Sequence, residues 1–285
     1  MERSGCKDAL RRVDALLQAG YVHVVDADLK SYFDSIPHDR LLARLKDKIA
    51  DGPVLRLIES FLKAEILDVA SHWTPESGAP QGAVLSPLLS NIYLDPLDHQ
   101  MVDSGLEMVR YADDFVILCH TAEDAQRALE RVRAWVTENG LTLHPTKTRI
   151  VDVRTDGFDF LGYHFGRTRR GIRHWVRSKS AQKLKDGLRE KTRRTSGDSL
   201  ASIIDSVNRT LRGWFAYFQH SRPEIFHRLD CWIRQRLRAI LRKRSKRRGL
   251  AKGGDFHRWR NRFFAEQGLF SLVEAHGLAC QSSRR

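Results

Sequence analysis

The sequence predicts an α+β chain: a ferredoxin-like split βαβ domain with an antiparallel sheet and helices, followed by an all-α region. Three observations predict it. Through the first half, short apolar strands alternate with stretches of helical periodicity. From about residue 180 the apolar spacing becomes helical throughout. The charge divides in much the same place. Residues 1–160 carry 18 Lys and Arg against 26 Asp and Glu, whereas residues 161–285 carry 31 against 9. A mildly acidic module joined to a strongly basic one suits a chain whose second part binds a polyanion; an Arg-rich solvated face is the plainer reading.

Each element has its own signal. "DALRRVDALLQAG" has helical periodicity and stops at Gly20, a residue suited to the position just past a helix. "YVHVVDADL" reads as a strand and "HDRLLARLKDKI" as a helix. "GPVLRLIESFLKAE" is a helix with Pro53 in its first turn, where the missing N–H costs nothing. "LSPLLSNIYLDPLDHQM" opens a further helix with Ser86 as N-cap and Pro87 at the first helical position. "LEMVRYADDFVILC" reads as a hairpin. "AEDAQRALERVRAWVTENG" is a helix ending at Gly140, and "TRIVDV" and "FDFLGYHF" are strands. Strand, helix, hairpin, helix, strand is the order of a split βαβ sheet, with helices on one face and the other free to hold something.

In the second half, "TLRGWFAYF" sets Leu211, Trp214, Phe215 and Phe218 on one stripe. "IFHRLDCWIRQRLRAIL" continues the spacing through Phe226, Leu229, Ile233, Leu237 and Leu241. "RRTSGDS", 193–199, is the expected joint. The expected division is therefore 1–165, a connecting segment of strands and helix at 166–198, and a helical domain at 199–285.

No run of eighteen uncharged apolar residues and no signal-peptide pattern is present, so the expectation is an intracellular protein with no membrane partner. Cys6, Cys119, Cys231 and Cys280 are too scattered for a zinc cluster or a disulfide framework, and Cys119 and Cys231 fall in apolar patterns that predict burial. Nothing in the sequence fixes an oligomeric state.

The chemistry concentrates at "RYADDF", 110–115. Adjacent carboxylates repel, but a tight hairpin can swing Asp113 and Asp114 towards one spot, and Asp tolerates left-handed backbone. Such a pair needs a counter-charge, a proton or a divalent cation. Asp26 and Asp28 close the first apolar run in "VVDADLKSYFDSIP", and in a split βαβ sheet Asp28 is expected to face Asp113. Three carboxylates at one spot can hold two Mg²⁺ ions about 3.5–4 Å apart, the arrangement that serves phosphoryl transfer.

In chain order, "DLKSYFDSIP", "GAPQGAVLSPLLSNIYL", "YADD", "LHPTKTRIV" and "FDFLGYHFG" resemble the palm motifs of the group II intron-encoded reverse transcriptase/maturase family. "SIIDSVNRTLRGWFAYF" onward to about residue 240 resembles its maturase-specific domain, also called thumb or X. The resemblance implies a polymerase palm followed by an all-α thumb, and RNA-directed DNA synthesis with two Mg ions. It implies Asp28 and Asp113 as principal metal ligands, Asp114 as the supporting carboxylate, and a metal contact from the Leu29 carbonyl. Asp26, on the face of Asp28, is an outer or solvated acid. Phe33 matches the sugar gate that rejects a 2′-hydroxyl by clash, a role compatible with a core Phe. Gly78, Pro80, Gln81 and Gly82 form the loop that approaches nucleotide or template. Lys147 matches a proposed general acid to departing pyrophosphate, against the plain alternative of a solvated lysine. Tyr111 is expected to pack beneath the turn near the primer end.

The implied partners are group II intron RNA, a DNA primer or target, and deoxynucleoside triphosphates, in a cytoplasmic, nucleoprotein-associated setting. "RKRSKRRG" and the Arg-studded helix before it suit phosphate contacts. Trp214, Trp232 and Trp259 can stack on bases, with core packing the competing role for the first two. Only 25 residues precede Asp26, so most of the family's fingers region is expected to be missing and polymerase activity to be weak in isolation; no endonuclease is expected either. The alternative function is a non-catalytic maturase remnant that binds intron RNA and assists splicing. An RNA-dependent RNA polymerase or telomerase-like enzyme is a third reading; Ala112 and Phe33 disfavour RNA synthesis, and the helical domain speaks against telomerase.

Overall fold

The computed structural model describes residues 5–63, 66–68, 71–73, 77–78, 84–247, 249 and 252–282. They fall into two compact units. One comprises the residues up to Leu161 together with Phe165–Arg173; the other comprises Gly162–His164 and the residues from His174 onward.

The first unit opens with α1 (Cys6–Gln18), β1 (His23–Ala27), α2 (Tyr32–Ser35), α3 (His38–Lys46) and α4 (Gly52–Leu62). A short pair, β2 (Ile66–Asp68) and β3 (Ser71–Trp73), precedes α5 (Ser86–Asp103). Then come the hairpin β4 (Glu107–Tyr111) and β5 (Asp114–Cys119), α6 (Ala122–Glu138), β6 (Arg149–Asp152) and β7 (Phe158–Phe160). The main sheet has the order β4-β5-β1-β6, and every neighbouring pair is antiparallel. This is the split βαβ arrangement the element order predicts.

Local chemistry explains most of the boundaries. α1 buries Ala9, Val13, Leu16 and Leu17 along one stripe. It ends where Gly20, at φ +94°, lets Tyr21 N–H donate to the Leu16 carbonyl at 3.1 Å. Asp51 caps α4 by accepting from Val54 N–H, and Thr121 caps α6 by accepting from Asp124 N–H. Gly140, at φ +70°, follows α6 as expected. The start of α5 differs by one residue. Leu85 is the cap and makes no side-chain capping bond, while Ser86 is buried within the first turn.

Two other expectations change. α4 stops at Leu62, and the stretch beyond it forms β2 paired with β3, strands of three residues that carry too short a pattern to read. The run "FDFLGYHF" is not one strand. It breaks at Leu161 and Gly162, both with positive φ (+47° and +81°), into β7 and β8 (Tyr163–Thr168). With β9 (Gly171–Val176) these form a second sheet in the order β7-β8-β9.

One face of the main sheet presents Val25, Ala27, Phe115, Ile117 and Cys119 to a core shared with Leu94 and Leu97 of α5 and Val132 and Val136 of α6. Burial of each large side chain there contributes about 1.5–3 kcal/mol. The opposite face was expected to be free. Over most of its area it is not: β7 packs against β1 and β5, and Val24, Val116, Leu118 and Val151 are buried. The end that carries Asp28, Tyr111 and Asp114 stays accessible.

The second unit is helical after β9: α7 (Ser178–Lys191), α8 (Leu200–Phe218), α9 (Pro223–Arg244), α10 (Gly253–Arg258), α11 (Asn261–Glu266) and α12 (Leu272–Ser282). Residues 193–199 join α7 to α8, and Ser199 caps the latter. Leu211, Phe215, Phe226, Leu229, Ile233 and Leu237 are buried in one core, as the two stripes predict. Asp230, buried on α9, accepts from Leu272 N–H at 3.1 Å and Val273 N–H at 3.3 Å, and so caps α12. Cys119 is buried, but Cys231 is exposed because it falls between the stripe positions 229 and 233. Among the described residues, no helix is long and apolar enough to cross a membrane.

Candidate active site

The pairing register gathers the acids. β1 pairs with β5 as Asp26↔Val116 and Ala27↔Phe115, so Asp28, the residue after β1, follows at the same end of the pair as Asp114, the first residue of β5. Opposed residues of antiparallel strands share a face, so Asp26, Asp28 and Asp114 stand on the side away from the helical core. Tyr111 pairs with Asp114 across β4–β5, leaving Ala112 and Asp113 as a two-residue turn. The left-handed residue of this turn is Ala112, at φ +57°, and not an aspartate.

Asp114 keeps an exposed edge, yet the protein crowding its carboxyl pushes its pKa up to about 6; the charges of Asp26, Asp113 and Asp28 add to this, against a hydrogen bond from Leu161 N–H at 3.4 Å. Asp26 is likewise raised, by burial first and by Asp159 and Asp28, with Arg149 opposing. Arg149 Nε donates to Asp26 Oδ2 at 3.4 Å. Asp26 is partly buried, with its side chain 20% exposed, and its charge weighs on Asp114 more than that of Asp113.

Asp28 is tied to the segment after α6. His144 N–H donates to its carbonyl at 2.7 Å, Thr148 Oγ1 accepts from its N–H at 3.5 Å, and Lys147 Nζ donates to its carboxylate at 2.9 Å. Leu29 is buried and bridged to Leu143. Phe33, on α2, is half-buried against the core with its ring 5.5 Å from that of Tyr32, and the Tyr32 hydroxyl donates to the Ser90 carbonyl.

Gly78 makes its close approach within the chain. A Cβ there would stand 2.8 Å from the Asp34 Cα and the Phe33 carbonyl oxygen; its N–H donates to the Ile36 carbonyl at 2.8 Å, and His38 Nε2 lies 2.6 Å from its own carbonyl. Pro80, Gln81 and Gly82 lie outside the described residues. Tyr111 does not pack beneath the turn. On the edge strand it is 43% exposed, beside Asp114. Trp259 is buried in the helical core and offers no stacking face; Trp214 is half-buried against Phe218 and Phe226. Trp232 is half-buried too, with Lys185, Arg189 and Arg236 each within 5.8 Å of its ring.

Sequence reasoning missed Arg110, Asn91 and Asp98, which meet behind the turn, and Arg149 and Asp159 beside Asp26. Arg110 had a readable signal. Strand alternation places it on the core side, where an unpaired charge is not tolerated.

Among the described residues, no group of three His, Cys, Asp or Glu side chains stands ready-made to hold a metal ion. Magnesium asks for less: one or two carboxylates, with substrate phosphates and water completing its shell. The donors here are carboxylate oxygens, and the charges of Asp26, Asp113 and Asp28 add to the burial that raises Asp114. By donor chemistry and charge, the site fits Mg²⁺.

Residues 2–165 match the reverse transcriptase (RNA-dependent DNA polymerase) family, and residues 181–259 match the group II intron maturase-specific domain. Protein YkfC of Escherichia coli (strain K12) is 32% identical over 181 residues, covering 51% of this chain and 47% of its own length. Group II intron-encoded protein LtrA of Lactococcus lactis subsp. cremoris is 46% identical over 74 residues, 26% of this chain and 12% of its own. The matched stretch spans less than half the length of these relatives. Among solved structures, apo telomerase from Candida Tropicalis aligns with a TM-score of 0.50 at 14% identity, over 83% of this chain and 50% of that one. That is a likeness of fold alone.

Proposed function

Since the chain belongs to the reverse transcriptase family and carries a group II intron maturase-specific domain, we propose that it is an RNA-directed DNA polymerase with maturase activity. In this reading it extends a DNA primer with deoxynucleotides on an intron RNA template. Residues 1–165 would form the palm, 166–198 the connection and 199–285 the helical maturase domain, the maturase-specific match itself beginning earlier, at residue 181. The observation that carries the reading is the register that brings Asp28 beside the 111–114 turn on an accessible face.

Asp28 and Asp113 would hold the metal ions, with the Leu29 carbonyl contributing and Asp114 in support. When bound, Mg²⁺ would neutralise the charge that develops on the attacking and leaving oxygens. The protein's share is positioning. Phe33 would pack under the deoxyribose and exclude a 2′-hydroxyl. Gly78, Pro80, Gln81 and Gly82 would carry backbone close to the nucleotide, and Tyr111 would present its exposed ring near the primer end. Lys147 would leave Asp28 to donate its proton to the departing pyrophosphate.

RNA binding falls to the second half, where 31 Lys and Arg stand against 9 acids. This excess supports a second reading, a maturase that assists splicing without polymerase chemistry. Asp113→Ala with Asp114→Ala separates the two. Primer extension on an RNA template should vanish while RNA binding and splicing assistance persist. Extension that survives the double substitution overturns the catalytic role of Asp113 and Asp114, no extension by the unmutated chain overturns the polymerase reading, and splicing lost as steeply from a folded variant overturns the division of labour.

A further inference from the structure

Arg110 sits on β4 with its side chain only 6% exposed, on the face that packs against the helices. Its guanidinium binds two places at once. Nε donates to Asp98 Oδ1 at 2.7 Å, Nη2 donates to Asp98 Oδ2, and Nη1 donates to Asn91 Oδ1 at 2.8 Å. Asn91 and Asp98 are both on α5, two turns apart and on one side of the helix. The same Nη1 also donates to the Ala112 carbonyl oxygen at 2.8 Å.

A buried arginine needs a carboxylate, and Asp98 provides it in a two-bond fork. That requirement does not account for the bond to Ala112. Ala112 stands at φ +57°, a conformation unfavourable to a non-glycine residue that the surroundings must hold. The bond from Arg110 supplies that hold at the carbonyl immediately before Asp113. We propose that Arg110 is a positioning residue: it locks the 112–113 turn to α5 and so fixes where the Asp113 and Asp114 carboxylates stand. The catalytic part of this inference rests on the polymerase reading; the hold on the turn does not.

Arg110→Lys keeps the charge and loses the planar fork, so it cannot grip Asp98 twice and reach Ala112 as well. Two readouts are taken on the purified chain: hydrogen exchange of backbone amides, and steady-state primer extension on an RNA template. Exchange across residues 111–115 should quicken roughly tenfold while that of α5 is unchanged. The kcat should fall by roughly 10²-fold with KM for the deoxynucleotide near the unmutated value, the signature of misplaced groups. A kcat equal to that of the unmutated chain, or a lowered kcat with unchanged exchange at the turn, overturns the proposal.

If the unmutated chain extends no primer, the functional reading fails on its own and exchange alone judges the turn: quickening upholds the hold and no change overturns it. If Arg110→Lys does not fold, the unmutated chain still carries the test. By NMR, the Arg110 Nε–H proton should exchange slowly and show contact with the Asp98 and Ala112 region, and rapid exchange with no such contact overturns the hold.

Discussion

Lys147 Nζ donates to Asp28 Oδ2 at 2.9 Å, placing a cation on the carboxylate that closes the first strand. Both side chains are substantially exposed, so the pair contributes only about 0–1 kcal/mol to stability. In the proposed function its importance is chemical. Lys147→Ala should leave the melting temperature nearly unchanged and lower kcat for primer extension by about 10²–10⁴-fold, with the basic limb of the pH–rate profile altered. Rate measurements across pH alongside thermal melts check this. A loss of stability that matches the loss of rate points to a structural lysine.

Asp114 sets a pH dependence of stability. Its pKa is about 6 in the folded chain, against 3.8 for an ordinary Asp, so the folded state holds the proton more tightly than the unfolded one. Its contribution to stability is therefore fully present below pH 3.8 and is lost as pH rises through about 6. In EDTA, Asp114→Asn should be more stable than the unmutated chain at pH 7–8, and the advantage should disappear near pH 4. Urea unfolding at several pH values measures it. Added Mg²⁺ should narrow the gap at neutral pH by stabilising the unmutated chain more than the variant, which lacks the supporting carboxylate.

Gly78 joins two stretches far apart in sequence. An added Cβ would meet backbone atoms of Phe33 and Asp34 at 2.8 Å, and φ is +93°. Gly78→Ala should destabilise the chain by roughly 2–4 kcal/mol, combining a strained backbone with an overlap that cannot relax through a side chain. Denaturant titration gives the value, and a change under about 0.5 kcal/mol would mean the loop separates easily from α2.

These positions show how far the sequence could be read. The sheet was legible because the short apolar runs around Val25 and Ile117 carry strand-forming residues and the Asp residues stand at strand ends. The helical core was legible for the same reason: Leu211, Phe215, Phe226 and Leu229 repeat at helical spacing. What escaped depends on distant partners. The bond from Arg110 to Asp98 and the approach of Asp159 to Asp26 link residues whose proximity no local pattern encodes. The break at Leu161 escaped because a non-glycine residue at positive φ contradicts its own propensity. Cys231 and Trp259 traded expected environments because helical spacing says which residues share a face but not which face is covered.

The basic half should bind RNA mainly through phosphate charge. Affinity should fall steeply with salt, and removing a contacting cation should flatten the log–log slope by about 0.7 on single strands. Lys185→Ala and Arg189→Ala, beside Trp232, are the test pair. Filter binding at several salt concentrations should show a shallower slope for each. Unchanged slopes would place the RNA on another surface.

The central claim is that the end of the first strand and the turn after Tyr111 share divalent metal. Crystals of the chain with a primer on an RNA template, a non-hydrolysable deoxynucleotide and Mn²⁺ test it most directly through anomalous scattering. The account predicts metal peaks between the carboxylates of Asp28 and Asp113 and the nucleotide phosphates, with Lys147 displaced from Asp28. Metal bound only elsewhere, or a nucleotide seated away from both aspartates, contradicts it.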